Sequence, residues 1–201
     1  MKSLTLLAAL ALAGPALATT YTLEPNYTQV VFSWDHLGYS FPTAQIAQGQ
    51  GTLEFDAMAP AQARVTVRFP LAMIATGVPD LDEHLKSKDF FDVEKYPEAV
   101  FTSTKVEPGM TANRLRVTGN LRMHDVTKPV TLDVVILKVG NNARTGIATV
   151  GFNATAKLKR SEFGLGAFVP QVGDEVSLAI TCQGADAKPY AAYQAAKKQK
   201  K

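Results

Sequence analysis

The chain holds one cysteine, one tryptophan and three histidines in 201 residues, and each scarcity removes a class of protein. With Cys182 alone no intramolecular disulfide can form, so stability must come from an apolar core. Cys182 lies in the alternating stretch 175–183, where a packing thiol is expected rather than a nucleophile. His36, His84 and His124 stand far apart and make no HxH or HExxH spacing, and no CxxC exists, so local metal signatures are missing. No GxSxG and no glycine-rich phosphate loop occurs. The acids Asp80, Asp82, Glu83, Asp89, Asp92 and Glu94 lack EF-hand spacing. They interleave with Lys86, Lys88 and Lys95, a pattern that predicts a salt-bridged surface and not a catalytic carboxylate pair. Catalysis is not expected. No apolar run of 18 or more residues recurs, which excludes a multi-span helical membrane protein. Charged residues make up 19% against 46% hydrophobic, too apolar a balance for a disordered polyelectrolyte.

Positive charge on the body is also short. Of 21 basic residues, six (Lys2, Lys188, Lys197, Lys198, Lys200 and Lys201) sit near the ends, which leaves 15 basic against 18 acidic in between. Nucleic-acid binders concentrate positive charge on a folded face, so no nucleic-acid partner is expected. Residues 188–201 read as a basic tail, disordered or in part helical, suited at most to weak contact with a membrane surface.

Residues 1–18, MKSLTLLAALALAGPALA, place Lys2 before an apolar stretch, then Gly14-Pro15, then small residues. That order predicts a secretory signal peptide cleaved after Ala18, and a periplasmic or secreted mature protein. Residues 19–187 form the expected single domain.

What fills that domain is period two, the mark of strands with one dry face. Val30, Phe32 and Trp34 alternate with Val31, Ser33 and Asp35. Val65, Val67 and Phe69 alternate with Arg64, Thr66 and Arg68. Leu115, Val117, Leu121 and Met123 alternate with polar neighbours, Gly119 standing on the apolar side. Val176, Leu178, Ile180 and Cys182 repeat the pattern. With candidates at 45–55, 98–106, 127–139 and 145–158, eight strands are predicted, enough to close an up-and-down barrel and remove exposed edges. Pro129 must sit at a strand start, since it donates no hydrogen bond. Pro79–Lys86 predicts one short helix with its charges matched to its dipole.

Several segments in order carry a resemblance: 30–38 (VVFSWDHLG), 51–56 (GTLEFD), 80–97 (DLDEHLKSKDFFDVEKYP), 101–106 (FTSTKV), 121–132 (LRMHDVTKPVTL), 159–164 (KRSEFG) and 172–176 (VGDEV). Together they span most of residues 21–183, and the set resembles the YceI-like family of exported barrels. The resemblance implies an all-β fold, an eight-stranded antiparallel lipocalin-like barrel with one short helix. It also implies a binding protein whose interior holds an isoprenoid chain, a polyprenyl lipid or an isoprenoid quinone, with no cofactor required. Where Trp34 stands the family usually carries a smaller residue, which narrows the cavity here.

By strand phase the wall positions are Val30, Phe32, Trp34, Leu53, Phe55, Phe69, Phe101, Leu115, Val117, Val134, Ile136, Phe152 and Ile180. The same residues in contact with one another would make a solid core, and phase alone does not separate the two. His36, Phe90 and Phe91 fall at the mouth, as a flap or a plug. Burying on the order of 800 Å² of a polyisoprenoid yields about 20 kcal/mol gross at ~25 cal/mol/Å², before the cost of ordering the chain. Two other functions compete: a small periplasmic enzyme acting on a hydrophobic substrate through His36, His124 or nearby acids, and a stress-related protein that meets a membrane surface through its tail. A homodimer leaves no trace by which the sequence decides it.

Overall fold

A computed structural model describes residues 18–199; the expected signal peptide lies outside the described residues apart from Ala18. The described residues form eleven strands. They are β1 (Thr19–Leu23), β2 (Gln29–His36), β3 (Thr43–Ile46), β4 (Gln50–Phe55), β5 (Arg64–Pro70) and β6 (Ile74–Ala75). The remaining five are β7 (Glu98–Pro108), β8 (Arg114–Met123), β9 (Val126–Asn141), β10 (Ala148–Lys159) and β11 (Val172–Asp186). Pairing runs β1, β4, β5, β7, β8, β9, β10, β11 and back to β1, antiparallel throughout.

The eleven segments amount to eight long strands. β11 pairs with β2 through Val176↔Trp34 and Ile180↔Val30, then with β1 through Tyr21↔Asp186. β1 and β2 are thus one strand interrupted at Pro25–Tyr27, whose proline lacks the ladder donor. β3 and β4 continue each other, as do β5 and β6 across the turn Leu71–Met73. The closed eight-stranded antiparallel barrel expected from the alternation is the fold observed. β11 has 15 residues; at ~3.3 Å per residue and a tilt of ~40° the barrel wall stands roughly 38 Å tall.

The alternation translates directly into burial. In β8, Leu115, Val117, Gly119 and Met123 are buried while Arg114, Arg116 and Asn120 face water. A Cβ on Gly119 would stand 2.3 Å from the Phe101 ring and 2.6 Å from the Thr102 carbonyl oxygen, so glycine is what lets that ring lie flat against the wall. Pro129 corrects its expected place, being the fourth residue of β9 and not the first. It is tolerated because β10 pairs with β9 only from Asp133 onward, leaving no neighbour there to miss an N–H.

The two ends differ. One is filled by Tyr21, Leu23, Leu53, Phe55, Val150 and Phe152, with Phe55 meeting Tyr21 at 6.5 Å and Phe152 at 5.5 Å edge-on. The other carries the loop 37–42, helix α1 (Pro79–Lys86), the turn after it and the stretch 160–171. α1 has the predicted bounds. A second helix, α2 (Ala187–Lys198), occupies the stretch expected as a disordered or partly helical tail. The Asp186 side chain caps it by accepting the Lys188 N–H at 3.3 Å, Lys197 and Lys198 sit at its negative end, and Arg144 Nη1 donates to the Tyr193 hydroxyl at 3.1 Å. Burial pushes the Tyr190 phenol up from its ordinary pKa. The acid-rich surface is corrected too. Among the described residues the ion pairs are Lys105–Glu107, Lys128–Glu162 and Lys157–Glu175, none in the 80–95 stretch. Exposed pairs are worth little, and Asp82 instead accepts the Thr76 hydroxyl and N–H, both at 2.6 Å, bonds that hold its carboxyl below its ordinary pKa.

Candidate functional site

The inward faces of the strands do not meet. They enclose a cavity of about 570 Å³, within the ~300–1,000 Å³ usual for ligand sites. Val30, Leu121, Leu132, Val134, Leu158, Leu178 and Ile180 point inward by phase yet are only half-buried, because the surface they expose faces this void.

Of the wall positions expected from phase, Val30, Phe32, Trp34, Leu53, Phe55, Phe69, Phe101, Leu115, Val117, Val134, Phe152 and Ile180 line the cavity. Ile136 corrects that set. It pairs with Phe152 and packs against both the end cluster and the main core, without lining the cavity. Trp34 is on the wall, its ring 5.8 Å from that of Phe32.

His36, Phe90 and Phe91 all stand at the mouth, with different roles. Phe91 is buried against Phe32 at 5.9 Å. Phe90 is half-buried between His84, at 4.9 Å, and Phe168, at 6.2 Å. His36 is exposed at the rim, where its backbone pairs with Ser40. His124 is remote from both other histidines in role, stacked on Tyr96 at 4.7 Å with its Nε2 buried and unbonded. No group of three or more metal-ligating side chains occurs among the described residues.

Polar groups on the wall are few. In the deep half Ser103 Oγ is occupied by the Val65 N–H at 2.9 Å. The Thr28 hydroxyl is buried and makes no full hydrogen bond. Beside it, burial pushes the Cys182 thiol up to about 11 against the opposing pull of that hydroxyl, so the thiol stays neutral and behaves as wall.

At the mouth stand residues that the sequence left unread. Arg160 is 6% exposed and lines the cavity. Its Nε donates to the Gly173 carbonyl at 2.9 Å, Nη1 to those of Leu165 and Ala167 (the latter at 2.8 Å), and Nη2 to that of Val172 at 2.9 Å. A single guanidinium, with five donors in a fixed fork, therefore gathers the loop that carries Phe168. Burial lowers its pKa, opposed by the nearby Asp174. Burial would raise Asp174, but the Ser161 N–H (2.9 Å) and hydroxyl (2.8 Å), with Arg160, outweigh it and hold its carboxyl low. Gly164, at φ +77°, turns the chain from Phe163 into the loop. Val65, Val67 and Leu178 were legible by phase. Arg160 and Phe168 were not, since irregular backbone has no period.

Fold and site together define a closed antiparallel barrel with an apolar tunnel open at one end and stopped at the other, a binding architecture. Within that class the chain belongs to the YceI-like family, whose domain matches residues 21–183. A UPF0312 protein of Pseudomonas syringae pv. tomato is 37% identical over 192 residues, 93% of this chain and 98% of its own length. Protein YceI of Escherichia coli O157:H7 is 35% identical over 178 residues, 88% and 92% of the two chains. A solved structure, described as a polyisoprenoid binding domain from Saccharophagus degradans, shares the fold at a TM-score of 0.63 and 13% identity, over 85% of this chain and 99% of that one.

Proposed function

We propose that this protein is exported and holds an isoprenoid lipid, a polyprenyl compound or the tail of a quinone, inside the barrel for transport, storage or sequestration. The observation that carries the reading is the void itself, a continuous apolar tunnel where a stable fold would otherwise pack its own side chains. At ~30 Å³ per water-sized group, 570 Å³ admits about 20 carbon atoms, or four isoprene units. Burying them yields roughly 16 kcal/mol gross at ~0.8 kcal/mol per methylene-sized group, of which losing free motion takes about 4–15. A net affinity therefore arises without a hydrogen bond to the tail. The description of the Saccharophagus degradans domain supports the same ligand class.

The head group stays at the mouth, where His36, His84, Arg160 and Gln171 supply the polar atoms. Organic extraction of the purified protein followed by mass spectrometry tests the proposal. The expected result is one prenyl lipid or quinone per barrel. Finding none, with no uptake of an added prenol, refutes it. N-terminal sequencing of exported protein is expected to begin at Thr19.

A further inference from the structure

Four of the large apolar side chains left in water stand around the open end. Leu37, Tyr39 and Phe41 on the β2–β3 loop are 49%, 90% and 74% exposed, and Phe168 on the facing loop is 59% exposed. Neither loop is slack. Gly38 N donates to Asp35 Oδ1 at 2.8 Å, Tyr39 N to the His36 carbonyl at 3.1 Å and His36 N to that of Ser40 at 2.9 Å. The facing loop is gathered on Arg160, and Val172 N donates to the Phe168 carbonyl at 2.8 Å. Two braced loops thus hold four apolar side chains outward beside the entrance of an apolar tunnel.

Charge decides what they meet. Residues 37–42 (LGYSFP) and 165–172 (LGAFVPQV) contain no Asp, Glu, Lys, Arg or His. The charges touching the two loops are Asp35, bonded to Gly38 N, and the buried Arg160; on α1 and the turn after it, Asp80, Asp82, Glu83 and Asp89 stand against Lys86 and Lys88, an acidic excess that opposes an anionic surface. The exposed apolar area of the four side chains is on the order of 500 Å². A stable dimer needs about 800 Å² from each partner, whereas shallow insertion of a few aromatic side chains at a bilayer boundary requires no such area. The lysines of α2 lie at the opposite, stopped end, so attachment through them would turn the mouth away from the lipid.

We propose that the rim formed by Leu37, Tyr39, Phe41 and Phe168 docks the barrel, mouth first, on an electrically neutral lipid bilayer. The inference rests on the reading of the tunnel as a lipid site and names the surface from which that lipid enters. Co-sedimentation with phosphatidylcholine vesicles, with and without phosphatidylglycerol and across salt concentration, tests it on three chains: the full protein, Y39S/F41S, and K188Q/K197Q/K198Q. Prenol uptake from detergent micelles is measured in parallel. The expected result is salt-insensitive binding of the full protein to pure phosphatidylcholine, unaltered in the lysine variant. In Y39S/F41S binding weakens by about 100-fold, while its micellar uptake is unchanged. Binding that needs phosphatidylglycerol and the lysines, absence of vesicle binding, or dimers that dissociate only in Y39S/F41S would overturn the proposal. Rim-dependent vesicle binding without micellar uptake would instead sink the tunnel reading and leave the docking surface standing.

Discussion

Filling the tunnel from its own wall separates a ligand site from a loosely packed core. Ala154 sits on β10 between Val134 and Ile180, is 9% exposed and faces the cavity. Ala154→Phe adds six ring carbons, about 100 Å³ at interior density, to a space of 570 Å³. In a closely packed core such an insertion costs about 1–3 kcal/mol through displaced neighbours. Here the ring enters open apolar space, so the ligand-free protein is expected to gain about 1 kcal/mol, or roughly 3 °C in Tm for a chain of this size. The ligand, in turn, loses the room of about three carbons, worth roughly 2.5 kcal/mol at ~0.8 each, and retention falls about seventyfold. Stability and affinity therefore move in opposite directions. Thermal unfolding of extracted protein and mass spectrometric quantification of bound lipid read the two separately. A lower Tm with lipid retention unchanged would refute the reasoning, because it is what a filled interior gives.

Two further outcomes follow from the mouth and the floor. Arg160→Ala removes four hydrogen bonds from a buried guanidinium and is expected to cost about 3 kcal/mol in denaturant unfolding while speeding lipid release; Arg160→Lys, with three donors for four carbonyls, restores part of both, and an unchanged release rate would show that the loop does not gate the tunnel. Cys182, with its thiol at about 11, is about one part in a thousand thiolate at pH 8, against roughly a quarter for an ordinary thiol near 8.5. Alkylation by iodoacetamide should run at least about a hundredfold slower than for an exposed cysteine, accelerate as pH rises toward 10, and slow again on lipid loading; labelling at the free-thiol rate would contradict the burial.

The barrel was legible because its residues repeat with period two over strands long enough to count. Leu115, Val117 and Met123 could be assigned a face from β8 alone. Phase states which face a side chain takes, but not how far along the tunnel it lies. Ile136 shows the difference: its face was right, yet its depth depends on the register that seats it beside Phe152. The tail could be read only as disordered or partly helical for a related reason. Its alanines and lysines suit a solvated end equally well, and what holds α2 is a contact from Arg144 to Tyr193 across 49 residues. Arg160 stood in view inside the KRSEFG segment, but its partners are carbonyl oxygens, which no sequence spells out.

The aromatic floor made by Tyr21, Phe55 and Phe152 has a consequence for traffic. A pipe with a single doorway admits a long guest in one orientation only, hydrocarbon leading and polar cap trailing. Departure reverses that path, and a newcomer has no room to slip past the occupant. If the tunnel carries lipid as proposed, donor and acceptor must call in turn at the same threshold, as with a shuttle and not a conduit joining two compartments.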